Sequence, residues 1–541
     1  MEGGGLMNIR GEQSAQKLRG GYYTPDDIAD FLVSWILKDN QSARILEPSA
    51  GDGVFIDSLL RLDFRGRAFA VELLQEEGMK IVQRVNEQSN YSIFLEDFYD
   101  YYERFRETSG KKYDAVIGNP PNIRYQYLTE EQRSYQSDIL KNNGIKPNKL
   151  INAWMAFTVA SVEMLKEGGK IAFVLPTDLL QVTYAKQLRQ FLFENLSHLT
   201  IVTFQDQVFD SIQQDVVLLM GKKRTKNIKD HYLRVLNVES RDSLSPCLFD
   251  EPFEQYEDYD SDKWTKFYLS RDSRNFYETT FSKKTLSFND FGKGEVGITT
   301  GNNKFFAISN DTVLQYKLSD YVRPLLGRSV EVKGIFYIDE DLKSNVISGQ
   351  KVWLLDFNGH ELSTEAKKYI DFGIQTQQNI GYKLKIRNRW YDVPSIWTPH
   401  AFLLRRIGEY PRIVRNQIDA TSTDTFHRIK FFEETDISKF MFLFYSSVTL
   451  LSFELEGRVF GGGALEILPG DLKNIRIPIV DDDLDYNNLL EKLDIRFRQG
   501  YSIIEIVKWV NSVISEHTII SDEQLDKTYE MWQFLNKKRM E

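Results

Sequence analysis

The first 226 residues alternate between short apolar runs and helical patterns, and this alternation is the strongest constraint on the fold. "ARILEP" (43–48), "GRAFAVEL" (66–73), "YSIFLEDF" (91–98), "YDAVIGNPP" (113–121), "GGKIAFVLP" (168–176), "LTIVTF" (199–204) and "DVVLLMGKK" (215–223) read as strands. "DDIADFLVSWIL" precedes the first and "NAWMAFTVASVEMLKE" the fifth, both with helical patterning. The pattern predicts an α/β, Rossmann-like domain with a mostly parallel sheet and helices on both faces. In such sheets ligands sit beyond the carboxyl ends of the strands, so the chemistry is expected there.

The strand ends carry polar residues in a repeating way. In "ILEPSAGDGVF" a strand enters a turn with Gly51 and Gly53, whose backbone can turn tightly and approach a ligand closely. Glu47 and Asp52 flank that turn, which suits a cationic ammonium or sulfonium better than a pyrophosphate, and no third glycine completes a dinucleotide fingerprint. Glu72 ends the second strand, 25 residues after Glu47, where a carboxylate pairs with ribose hydroxyls. Asp97 and Phe98 end the third, as an acceptor for an exocyclic amine and a ring that stacks on a purine. The plain alternatives are solvated charges and a core phenylalanine. Three acids at three successive strand ends argue against chance placement.

The fourth strand runs into Asn119-Pro120-Pro121-Asn122. An asparagine oxygen and a proline carbonyl are both acceptors, and consecutive prolines stiffen the loop that presents them. Two fixed acceptors suit a substrate bearing an NH₂ group.

Beyond the alternating region, 541 residues leave room for two or three domains. The expected division is a flexible lead-in at 1–19, a catalytic domain at 20–235, and a connector at 236–290 rich in Asp, Ser and aromatics. An α/β or mainly β module then fills 291–480, and a helical tail 481–541. The net charge of −10 excludes a uniformly basic nucleic-acid binder, yet 380–415 concentrates eight Lys and Arg against only Asp392 and Glu409. Lys383, Lys385, Arg387, Arg389, Trp390, Arg405, Arg406 and Arg415 are the candidate nucleic-acid contacts, with a solvated charged face as the plain alternative. A single cysteine, Cys247, excludes an intrachain disulfide and a cysteine zinc cluster and fits a cytoplasmic location. No metal site and no membrane segment is expected.

Taken together, these motifs resemble the adenine-N6 DNA methyltransferases of bacterial restriction–modification systems. The order "GGYYTP" (20–25), cofactor loop, "NPPN" and then a recognition domain resembles their gamma, TaqI-type arrangement. "GITTGNNKFFAIS" (297–309), "KIRNRWYDVP" (385–394), "ATSTDTFHRI" (420–429) and "EGRVFGGGALEILPGDLKNIRIP" (456–478) are similar to segments of the PstI/BsuBI-like branch. The resemblance implies S-adenosyl-L-methionine as cofactor, held by Tyr23, Thr24, Pro25, Glu47, Ser49, Gly51, Gly53, Glu72, Asp97 and Phe98, with Thr24 near its carboxylate. It implies 119–122 as the catalytic loop, 291–480 as a DNA target-recognition domain, double-stranded DNA as substrate, and a cognate restriction endonuclease or defence partner. The family carries an aromatic after Pro-Pro, where this chain has Asn122. Stacking of such a ring on the extruded base contributes ~1–3 kcal/mol. Tyr125 and Tyr127 are the nearby surrogates. The departure leaves open a DNA-binding defence component with weakened catalysis. The loop chemistry also suits cytosine-N4, or a glutamine amide in protein, or RNA.

Overall fold

The computed structural model describes residues 24–540 apart from 87, 109, 207, 209–214, 228, 229, 257–262, 461, 482 and 483. Tyr23 and the lead-in at 1–19 lie outside the described residues. The chain forms two units, one ending at Arg274 and the other beginning at Asn275.

The first unit is built on one sheet. Its strands are β1 (Arg44–Glu47), β2 (Arg67–Val71), β3 (Tyr91–Phe94), β4 (Tyr113–Gly118), β5 (Leu165–Pro176), β6 (Leu196–Phe204), β7 (Val216–Lys223), β8 (Tyr232–Val238) and β9 (Glu254–Gln255). They lie in the order β3-β2-β1-β4-β5-β7-β6-β8-β9. β1 to β5 pair in parallel, as the alternation predicts. β7 runs antiparallel to both neighbours. Only 11 residues separate Phe204 from Val216, fewer than the dozen or so that a parallel crossover requires.

Both faces of the sheet are covered, so the central strands are apolar on both sides. Ile45, Ala115, Ile117, Ala172 and Val174 pack in one cluster with Ile28, Leu32 and Ile36 of helix α1 (Asp26–Leu37). The connections that set the strand ends are α2 (Val54–Arg61), α3 (Gln75–Arg84), α4 (Phe98–Glu107), α5 (Glu130–Asn142) and α6 (Ala153–Met164). α6 buries nearly every residue, which explains its apolar sequence all round.

Residues 232–255 add β8 and β9 to this sheet. Trp264 is buried, its ring 5.2 Å from that of Phe193. Part of the Asp-, Ser- and aromatic-rich stretch therefore packs onto the first unit. Its apolar residues are too few and too scattered to show a period.

The second unit holds a five-stranded mixed sheet of Gly292–Val296, Phe426–Phe431, Ala401–Leu404, Ile413–Asn416 and Phe336–Tyr337, in that order, beside smaller sheets. The expected tail helices are present as Tyr486–Arg498, Ile503–Ile514 and Asp522–Met540. The last is anchored within this unit by Arg539, whose Nε donates to Glu454 Oε2 at 2.8 Å with both side chains 2% exposed. The fold is thus a Rossmann-like α/β domain followed by a second α/β unit with a helical tail. No helix among the described residues is long and apolar enough to cross a membrane.

Candidate active site

Four adjacent strands deliver the polar residues to one edge of the first sheet. β3, β2, β1 and β4 are neighbours and parallel, so the residues after their carboxyl ends emerge side by side. Glu47 closes β1, Glu72 follows Val71 of β2, and Asn119 follows Gly118 of β4. Asp97 comes three residues after the end of β3, as the N-cap of α4.

The turn after β1 is shaped by its glycines. Gly51 and Gly53 have φ of +54° and +87°, a region costly for residues with a Cβ. A Cβ on Gly53 would also meet Ile81 Cγ1 at 2.7 Å. Glu72 accepts from the Gly51 N–H through Oε2 and from the Leu74 N–H through Oε1, both at 2.7 Å. Burial raises the Glu72 carboxyl, and these two backbone donors oppose the shift. Glu72→Ala is expected to lower stability by about 1–3 kcal/mol, because two backbone N–H groups lose their acceptor. Urea unfolding measures this.

Glu47 is different. It is 2% exposed, and among the described residues neither carboxylate oxygen has a hydrogen-bond partner. Burial pushes its carboxyl well above the ordinary range, and the charges of Glu72, Asp52 and Asp57 push it further. A buried carboxyl without a donor is costly in the charged form unless a cation arrives to pair with it. Asp52 is half-buried beside it and likewise raised by burial, with Arg84 opposing.

The Asn-Pro-Pro loop is tied to this turn and to the chain entering α1. Ser49 Oγ donates to the Asn119 carbonyl at 3.1 Å. Asn119 Nδ2 donates to Thr24 Oγ1 at 3.2 Å, and Thr24 is 6% exposed. In this arrangement Oδ1 is the acceptor end of the amide. Pro25 N-caps α1. Pro120 is buried, while Pro121 and Asn122 are half-buried. Asn122 Oδ1 accepts from Asn152 Nδ2 at 3.0 Å.

Asp97 and Phe98 are engaged elsewhere. Asp97 caps α4 through the Tyr99 N–H at 2.9 Å and accepts from Gln132 Nε2 at 2.7 Å. Phe98 is 3% exposed, with its ring 4.5 Å from that of Phe157. The structure therefore sets Phe98 in the core, where the hydrophobic effect outcompetes presentation of its face. Sequence reasoning missed Gln132, which holds Asp97, and Asn152, which holds Asn122 in the loop. Asn152 opens the quoted "NAWMAFTVASVEMLKE", yet its spacing carries no sign of the contact.

In the second unit the basic run separates into two kinds of residue. Arg387 donates to the Thr299 carbonyl at 3.2 Å, and burial lowers its pKa. Arg389 pairs with Asp392 at 2.9 Å, and Trp390 packs 4.7 Å from Phe305. Arg405 pairs with Glu466 at 3.0 Å, and Arg415 donates to Ser438 Oγ at 3.1 Å. Lys383 and Lys385 are exposed on a short helix, Tyr382–Lys385, and the Arg406 side chain is 76% exposed. A local count of charges cannot separate these groups, since the partners of Arg387, Arg405 and Arg415 are distant in sequence.

Two family models match the chain. The Eco57I restriction-modification methylase model covers residues 62–209, which include Glu72, Asp97 and the 119–122 loop. The model of the type II methyltransferase M.Eco57I C-terminal domain covers residues 261–515. The type II methyltransferase M.AccI of Acinetobacter calcoaceticus is 24% identical over 477 residues, 83% of this chain and 84% of that protein. M.HincII of Haemophilus influenzae is 30% identical over 239 residues, covering 43% of this chain and only 42% of its own length. Among solved structures, the type IIG restriction endonuclease BpuSI has 14% identity and a TM-score of 0.44, covering 96% of this chain and 66% of that one. With one model on the strand-end site and another on the second unit, this chain is similar to the Eco57I-type restriction–modification methylases.

Proposed function

We propose that this chain is a site-specific DNA methyltransferase of the restriction–modification type that transfers a methyl group to the N6 amine of an extruded adenine. The observation that carries this reading is the partnerless, buried Glu47 carboxylate beside an Asn-Pro-Pro loop. S-adenosylmethionine, when bound, supplies a methyl group already activated on a sulfonium. Its fit rests on the acceptors present: Glu47 for the ammonium, Glu72 for the ribose, and the lone pairs of Asp97 left beyond Tyr99 and Gln132 for the adenine amine. The Ser49–Gly53 turn lies along it, and Thr24 and Pro25 cover it.

The chain's own part in the reaction is positioning. The amine of a base inside a duplex is out of reach, so the base leaves the stack. The Asn119 amide oxygen and the Pro120 carbonyl accept the two N–H bonds of the amine, which directs the nitrogen lone pair toward the methyl. The proline pair holds both acceptors in place before the base arrives. Thr24 and Ser49 brace Asn119 from two sides, so the acceptors and the cofactor turn move as one.

Residues 20–235 form the catalytic domain on this reading, and 291–480 the target-recognition domain. Double-stranded DNA is the substrate, the cytoplasm the compartment, and a cognate endonuclease the partner. Lys383, Lys385 and Arg406 are the phosphate contacts. The double variant Lys383→Ala/Lys385→Ala is expected to weaken binding to all sequences alike. It should also flatten the slope of log K against log salt by about 2, at roughly 0.9 per phosphate contact. Fluorescence anisotropy at several salt concentrations measures this.

The test of the function is methyl transfer from labelled S-adenosylmethionine to DNA, followed by mapping of the modified base. N6-methyladenine at a defined site supports it, N4-methylcytosine redirects the target, and no label on any DNA overturns it. A second reading rests on Asn122: a DNA-binding defence component with weakened catalysis, which would bind cofactor and DNA with negligible turnover.

A further inference from the structure

The residue after Pro121 is an asparagine, and the structure gives it a partner. Asn152 is the N-cap of α6, a position where an asparagine side chain ordinarily accepts from the first-turn N–H groups. Here it makes no such bond. Its amide instead donates to Asn122 Oδ1 at 3.0 Å. The same two segments are joined by the Ala153 N–H and the Ile123 carbonyl at 2.9 Å.

Whichever way the two amides are turned, one bond between them leaves an NH₂ on one and an oxygen on the other unspent. Among the described residues neither has a further partner. Both residues are half-buried, and neither spare group is sealed off from solvent. The nearest ring in sequence is already held: Arg133 lies 5.1 Å from the centre of Tyr125 and donates to its carbonyl at 3.1 Å.

We propose that Asn122 and Asn152 form an amide couple that grips the extruded base by a ring-nitrogen edge, in place of stacking. This deepens the methyltransferase reading and rests on it. Asn122, three residues after Asn119 on the same stiffened loop, is the base-contacting member. Asn152 is a positioning residue acting through it. The physical consequence is selectivity. Stacking tolerates any base because every base has a π-face. A site that hydrogen-bonds an edge rejects an analogue lacking the acceptor.

The test uses the full chain and a duplex carrying the site mapped for the wild-type protein. The target adenine is replaced by 1-deazaadenine or by 7-deazaadenine, which lack one ring acceptor each. For the wild-type protein, one of the two analogues is expected to lose about 100-fold in kcat/KM relative to adenine. Asn122→Asp keeps the oxygen that Asn152 bonds but loses the spare NH₂. It should lose a similar factor on adenine and show no added penalty on that analogue, and intrinsic reactivity cancels in this comparison. Asn152→Ala should lower kcat/KM with unchanged cofactor affinity by calorimetry. Asn122→Tyr should flatten the preference among the three bases without raising kcat/KM on adenine. The proposal is overturned if both analogues stay within about threefold of adenine in the wild type, if Asn122→Asp retains full activity, or if Asn122→Tyr raises it. A wild-type protein that methylates no DNA overturns the functional reading together with this one. Methylation that is insensitive to the analogues overturns the couple alone.

Discussion

Glu47→Gln is expected to make the protein more stable and to disable its cofactor site. Glu47 is buried, its two oxygens have no partner among the described residues, and its carboxyl is raised well above the ordinary range by burial and then by neighbouring acids. An acid with a raised folded-state pKa holds its proton longer in the folded than in the unfolded chain. Stability then falls as pH rises from the unfolded carboxyl range near 4.3 through the raised value. Replacing it with a neutral amide removes that loss, so the unliganded variant should melt higher than the wild type at pH 8, and the difference should close as the pH falls toward the unfolded carboxyl range. Loss of a charge-assisted bond to the ammonium should weaken S-adenosylmethionine binding by about 1.5–3 kcal/mol, roughly 10- to 100-fold. Binding to the wild-type protein should also release a proton at any pH below the raised carboxyl value, visible as a dependence of the calorimetric heat on buffer ionisation enthalpy. The variant should show no such release. A destabilised variant with unchanged affinity would refute the assignment.

Asn119→Ala is expected to separate binding from chemistry. The substitution removes the amide oxygen and the bond to Thr24, while the backbone carbonyl that accepts from Ser49 stays. Cofactor affinity should therefore change by no more than a few-fold. Methyl transfer should fall about 10²–10³-fold, as when one preorganised polar contact to a reacting group is lost. Single-turnover transfer to the mapped site, with calorimetry alongside, measures both. More than a tenth of wild-type transfer would show that Asn119 is not the principal acceptor.

The catalytic sheet was legible because its signals are local. A run such as "YDAVI" shows β4 because both faces are buried, and Glu47, Glu72 and Asn119 could be placed because a parallel sheet sends every strand end to the same edge. The orientation of β7 follows from a connection length, which is also local. The fates of Phe98 and of the arginines were not legible. Phe98 at a strand end suits a purine platform or a core equally well, and Phe157, 59 positions away, decides for the core. Arg405 and Arg415 look like phosphate ligands until Glu466 and Ser438 arrive from distant segments. Lys383 and Lys385 meet no such partner in the fold and keep the exposure that the basic run suggests.

By itself the sequence determined the parallel strands at the centre of the first sheet and that carboxylates and a stiffened asparagine emerge near their ends, since these depend on side-chain period and on the geometry of glycine and proline. Only the tertiary structure decided that Glu47 is left without a donor, that Thr24 and Ser49 brace Asn119, and that Asn152 gives up its capping role to hold Asn122. Hydrogen-bond partners are assigned by proximity in space, and the chain brings together residues that no sequence spacing relates.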